Sequence, residues 1–164
     1  MERPQIIIPF TATDKIVEAI NVIALIAFWT MLFINYSKLP DIIPIHYNAA
    51  GKVDNFWQKI SLFILPIIAS VIFVGFSYLS KIPHIFNYIV DISIENAKNQ
   101  YTIATKMLRY LKLSVTCVFF LIFYKTVQIV DGKTEFLGKY FLILTLAIIF
   151  LPILYFLILS VRSK

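Results

Sequence analysis

Cysteine is nearly absent. The one residue, Cys117, excludes a disulfide framework and a thiolate metal cluster. Charge is also thin. Asp, Glu, Lys and Arg make up 15% of the chain, against about 25% in a soluble domain. A chain so poor in polar groups could not cover its apolar residues in water. No small-residue cleavage site follows the first apolar run, where Asn35-Tyr36-Ser37-Lys38 is bulky, so that run reads as a retained signal anchor. Glycine and proline are missing between Ile94 and Val130, which leaves that stretch free to form one helix.

What is present is oil. The 164 residues are 60% hydrophobic and 16% aromatic, with a mean hydropathy of +0.83. Apolar runs at Ile16 to Tyr36, Ile60 to Leu79, Leu111 to Val130 and Tyr140 to Val161 are each long enough to cross a bilayer, which takes roughly 20 residues. Backbone groups in lipid must be satisfied within each segment, so these are expected helices. The short alternating segments of a membrane barrel are missing. The expected fold is an all-α integral membrane protein of four transmembrane helices, one domain over residues 1–164. Residues 12–80 form a helix-loop-helix, 81–110 a cytoplasmic connection and stem, and 111–161 a second helix pair.

Four spans place both termini and the second connection on one side. That side carries Arg3, Lys15, Lys81, Lys98, Lys106, Arg109, Lys112, Arg162 and Lys164; the other carries Lys38, Lys52, Lys59, Lys133 and Lys139. The positive-inside rule then predicts an inner-membrane protein with cytoplasmic termini. The net charge of +6 suits contact with anionic lipid and gives no sign of nucleic acid.

The stem shows a stripe at three- and four-residue steps: Ile94, Ala97, Tyr101, Ala104, Leu108 and Leu111. Ser93 is the expected N-cap. The stripe could dock a partner, making the protein an accessory or signalling subunit. The plainer reading is packing within the bundle.

The segment "LPDIIPIHYNAAGKVDNFWQK", residues 39–59, is longer than two antiparallel helices need. Leu39-Pro40 stops the first span. Pro44 keeps the chain extended, with Ile43, Ile45 and Tyr47 on one side and His46 on the other. Gly51 suits positive φ, Asp54 can cap the second helix, and Phe56 and Trp57 are interfacial aromatics. The loop is expected to be structured and extracytoplasmic.

The pattern Leu39, Pro40, Pro44, His46, Asn48, Gly51, Asp54, Trp57 and Lys59 resembles the signature loop of an uncharacterised prokaryotic membrane domain. That domain of unknown function also occurs in the N-terminal part of SdpI-type toxin-immunity proteins. The resemblance covers roughly residues 12 to 80. It implies two membrane helices joined by this loop, and a family more than an activity. The rest of the chain departs from it, since those proteins carry a longer second membrane module.

The candidate ligand-binding or loop-structuring residues are therefore Pro40, Pro44, His46, Asn48, Gly51, Asp54 and Trp57. No catalytic residue, metal ligand set or cofactor is expected. Asp41, His46 and Asp54 share the outer face without a recognised ligand spacing, and His84 lies across the membrane. An enzyme at the membrane interface would need a nucleophile that is not evident. The span centres lack ionisable groups, which argues against transport. Glu18 and Lys125 read as interfacial anchors, while Pro66, Pro152 and Gly75 are expected to kink or closely pack helices. The function expected is binding of an extracytoplasmic ligand or membrane partner, in the manner of peptide-toxin immunity. Membrane lipid and a peptide or membrane protein are the expected partners.

Overall fold

The structure, a computed structural model, describes residues 3–163. It contains four long helices: α1 (Ala12–Tyr36), α2 (Ile64–Leu79), α3 (Ala97–Val130) and α4 (Phe141–Arg162). With the 3₁₀ turn Lys59–Phe63 that leads into α2, all four are long and apolar enough to cross a membrane. This is the composition of a multi-pass membrane protein.

The first correction concerns fold class. The 39–59 segment is not a helical-bundle loop but a two-stranded antiparallel sheet, β1 (Ile42–Tyr47) with β2 (Val53–Gln58). Asp54 therefore sits in a strand and does not cap the second helix.

Helix ends also moved, for local reasons. α1 begins four residues before the apolar run because Thr11 and Asp14 form a capping box. The Thr11 amide and hydroxyl donate to Asp14 at 2.9 and 2.7 Å, and the Asp14 amide donates back at 3.2 Å. α3 starts at Ala97 rather than Ile94. Ser93 and Asn96 instead exchange side-chain bonds across a turn, Ser93 N to Asn96 Oδ1 at 2.9 Å and Asn96 N to Ser93 Oγ at 3.3 Å. Asn96 takes the cap position.

α3 is the central post. It packs against α1, α2 and α4, while α1 and α2 touch only lightly. At about 1.5 Å per residue its 34 residues run about 51 Å, longer than a hydrocarbon core of about 30 Å. From Ala97 onward the stripe faces inward, with Ala97 and Tyr101 fully buried and Leu108 nearly so, whereas Ile94 lies before the helix and is exposed. Gln100, also fully buried, donates to the carbonyls of Ser160 and Ser163 at 2.9 Å each and accepts from the Ser160 hydroxyl at 2.5 Å. This stem is a packing surface for α4 and for residues 83–90. Tyr88 stacks near Tyr101 and donates to the Pro83 carbonyl at 2.9 Å. Burial raises its phenol pKa above the ordinary range.

The N-terminal segment is extended and lies across this end of the bundle. Arg3 donates to the His84 and Phe86 carbonyls at 3.3 and 2.5 Å and sits over the Tyr88 ring. At the opposite end Phe28, Leu32, Leu39, Ile43, Leu62 and Phe123 form the principal buried apolar cluster. Gly75 is no close-packing glycine, since a Cβ there would meet nothing within 4 Å. Pro66 falls in the first turn of α2, where its missing N–H costs nothing.

Candidate functional site

Two polar features stand out, one at each end of the bundle. The first is the hairpin. In its register Pro44 faces Phe56, His46 faces Asn55 and Tyr47 faces Val53. Ile45 and then Asp54 are left without a partner, so each is a bulge. Bulges re-aim side chains. Here they break the expected alternation: Ile43 is fully buried, Ile45 is exposed and Tyr47 turns back inward. They also bring Asp54 onto His46. The His46 Nδ1 donates to Asp54 Oδ1 at 2.5 Å. A carboxylate accepts only, so Nδ1 is the donor of this bond. Both side chains remain solvent-accessible, at 68% and 39% of their surface.

The hairpin is tethered on several sides. Ile43 inserts among Phe28, Leu32 and Phe123. The Tyr47 hydroxyl bonds Thr126 on α3 at 2.7 Å. Burial raises the Tyr47 phenol pKa against the smaller opposing effect of that bond. Lys59 donates to the Leu39 carbonyl at 2.9 Å and pairs with Asp41 at 3.2 Å. At the tip, Asn48 Oδ1 accepts from the amides of Ala50 and Lys52 at 3.0 and 3.1 Å. Gly51, with φ +76°, presents its carbonyl to the Leu137 amide at 2.9 Å. This ties the tip to the α3–α4 connection.

A Cβ at Gly51 would lie 3.2 Å from the Gly138 carbonyl oxygen and 3.3 Å from Leu137 Cβ. Gly51→Ala therefore combines left-handed backbone with a steric push. Its expected cost is about 1–2 kcal/mol, read as a lowered midpoint of thermal unfolding in detergent. The amide of Leu137 should also exchange hydrogen faster.

The candidate residues thus divide. Pro44 is buried, Asn48 shapes the tip and Gly51 docks it; Pro40 is exposed just after α1. His46, Asp54 and Trp57 are the ones presented outward. Beneath the hairpin lies a cleft of about 320 Å³, walled by Ile45 to Asn48 on one side and by Ile122, Leu137, Phe141 and Thr145 on the other. Asp41 is drawn to Lys59, away from the His46–Asp54 pair. Among the described residues no group of three His, Cys, Asp or Glu side chains could hold a metal ion.

The second feature is a buried ion network, and Glu18, expected as an interfacial anchor, belongs to it. Arg109 and Lys112 of α3 are 1% exposed. Arg109 donates to Asp14 at 3.1 Å and approaches Glu18 at 3.6 Å. Lys112 reaches both Glu18 oxygens at 2.8 and 2.7 Å and the Ser77 hydroxyl at 2.9 Å. Phe10 covers the guanidinium at 4.3 Å, and Phe73 covers the ammonium at 4.6 Å. Asn21, fully buried one turn on, donates to the Arg109 carbonyl at 3.2 Å. Arg109 and Lys112 are thus unavailable to a soluble partner docking on the stem. The signal in the chain was two acids four residues apart, Asp14 and Glu18, and two bases three apart, Arg109 and Lys112. Either pair falls on one helix face.

Residues 22–69 match the family described as Domain of unknown function (DUF1648). A protein of Archaeoglobus fulgidus, described as uncharacterized, is 36% identical over 63 residues. The aligned part covers 38% of this chain and 34% of that protein, so the two share about a third of their length. No solved structure matches the chain. The match holds the hairpin and all seven candidate residues but leaves out Asp14, Glu18, Arg109 and Lys112. The stretch from the middle of α1 through the hairpin into α2 is therefore similar to a domain whose function is itself unknown.

Proposed function

We propose that this protein binds an extracytoplasmic ligand through the hairpin of residues 39–59, and that the ligand is an extended peptide, as in peptide-toxin immunity. The observation that carries this is the bulge-built His46–Asp54 pair. It stands exposed on a hairpin that is otherwise fastened down, so the ordering cost of binding has already been met. Phe56 and Trp57 are 54% and 61% exposed beside it. A two-stranded sheet also has open edges, which offer backbone bonds to an added strand. His46 borders the cleft beneath the hairpin as well, and about 320 Å³ suits one or two side chains of such a peptide. In this reading the hairpin faces outward and both termini are cytoplasmic.

The test uses the protein in lipid nanodiscs against an array of immobilised decapeptides. His46→Ala and Asp54→Ala are expected to lower binding of the captured peptides at least tenfold while the protein still inserts and melts normally. Binding indifferent to both substitutions removes the proposal. Orientation is checked separately in a Cys117→Ser background carrying Asn48→Cys. An impermeant maleimide should label intact cells. Labelling only after lysis would place the hairpin inside and end the extracytoplasmic reading.

A further inference from the structure

We propose that the cleft beside Glu18, at the terminus-bearing end of the bundle, binds one anionic phospholipid: Lys81 holds the phosphate and a stripe on α2 holds an acyl chain. The cleft measures about 650 Å³. Ile7, Ile8 and Phe10 of the N-terminal segment form one wall; Ser77, Ser80 and Lys81 form the other, with Glu18 between them.

Charge decides the sign of the occupant. Asp14 and Glu18 are balanced by Arg109 and Lys112, which they contact directly. Lys81 lines the same cleft and forms no ion pair among the described residues. The site thus carries one uncompensated positive charge, which a phosphodiester of charge −1 would cancel. Hydrogen bonding points the same way. The Ser77 oxygen accepts from Lys112, and its own proton has no acceptor among the described residues. It is a donor facing a cleft that an anion can fill. Glu18 spends two acceptor positions on Lys112, and its side chain is 20% exposed. A hydroxyl-bearing head such as glycerol could donate to the positions that remain.

The apolar half of the ligand has its own track. Ile67, Val71, Val74 and Tyr78 are all exposed on α2. They recur at steps of four, three and four residues, one face of the helix, and Lys81 follows three residues later. The stripe runs about 17 Å at 1.5 Å per residue, and Tyr78 at its end lies between Ser77 and Ser80, which line the cleft. Lys81 comes just after the last residue of a membrane-length helix, the level at which phosphates lie.

The experiment is native mass spectrometry of the intact protein, released from micelles containing equal phosphatidylglycerol and phosphatidylcholine with identical chains. One retained phosphatidylglycerol per protein is expected, with phosphatidylcholine at least fivefold lower. Lys81→Gln should reduce that retention fivefold or more; Lys81→Arg and the distant Lys98→Gln should not. Lys81 is exposed, so its substitution leaves the bundle intact, which an unchanged melting midpoint verifies. Equal retention of the two lipids would mean annular lipid only and overturn the proposal. So would undiminished retention by Lys81→Gln.

Discussion

Lys112→Met is expected to destabilise the protein by about 2–4 kcal/mol, somewhat less than the cost of stranding a fully buried charge because Glu18 is partly exposed. The ammonium is fully buried, and its partner Glu18 is bonded through both oxygens. Without it Glu18 keeps only Arg109 at 3.6 Å, too long for a hydrogen bond. The Arg109 Nε already lacks a partner among the described residues. Glu18 is only partly buried, 20% exposed at the cleft it lines, but without the ammonium its oxygens still face the α1–α3 contact, so the loss should appear as a lower unfolding midpoint in detergent. The decisive companion is the double variant Glu18→Gln with Lys112→Met. It removes both charges, and such neutral replacements are often tolerated. Its midpoint should lie well above that of the single variant. If the single variant melts with the parent, Lys112 is not a buried partner of Glu18 and the network is misread. Reversal of charge at Arg109 should act in the same way, through the fold and not through a lost partner.

Ile43→Ala should cost about 2–4 kcal/mol at the other end of the molecule. Ile43 is the peg by which the hairpin enters the helices. It is fully buried with Phe28, Leu32, Leu39, Leu62 and Phe123. Phe28 and Phe123 stand 5.7 Å apart between ring centroids, and stiff rings on helical backbones collapse poorly into a void. The cavity should therefore persist. Hydrogen exchange will separate a local from a global effect. Amides across Ile42–Gln58 should lose protection first, because what then ties the hairpin to the helices is mainly polar: the Tyr47–Thr126 bond and the tip's backbone contacts with Phe136 and Leu137. Unchanged exchange in the hairpin would show that Ile43 does not hold it. Peptide capture should weaken in parallel, since His46 and Asp54 would then pay an ordering cost on binding.

Sequence periodicity read the helices well and the polar groups poorly. Long apolar runs leave little choice of backbone, so the four expected helices, the third counted from Ile94, fall within about four residues of the observed ends. Thr11-x-x-Asp14 is a capping box that could have been read to extend α1. The hairpin was legible as an extended, proline-pinned segment. Its second strand was not, because Asp54 and Asn55 are poor strand formers held there by pairing. The bulges at Ile45 and Asp54 depend on register between two strands, which no single segment encodes. Glu18 looked like an anchor because its neighbours along the chain suggest a helix entering a membrane. Its true partner, Lys112, is 94 residues along the chain and on another helix.

Composition alone determined that this chain makes membrane-length helices, because 60% apolar residues in unbroken runs have no other satisfied backbone. The local order of prolines, glycine and asparagine determined that the segment between the first two would be shaped. Only the tertiary structure decided which polar groups meet: His46 with Asp54 across a bulged ladder, and Asp14 and Glu18 with Arg109 and Lys112 across two helices. The physical reason is reach. Hydropathy and turn chemistry act within a few residues, whereas an ion pair is set by how helices rotate and slide against each other.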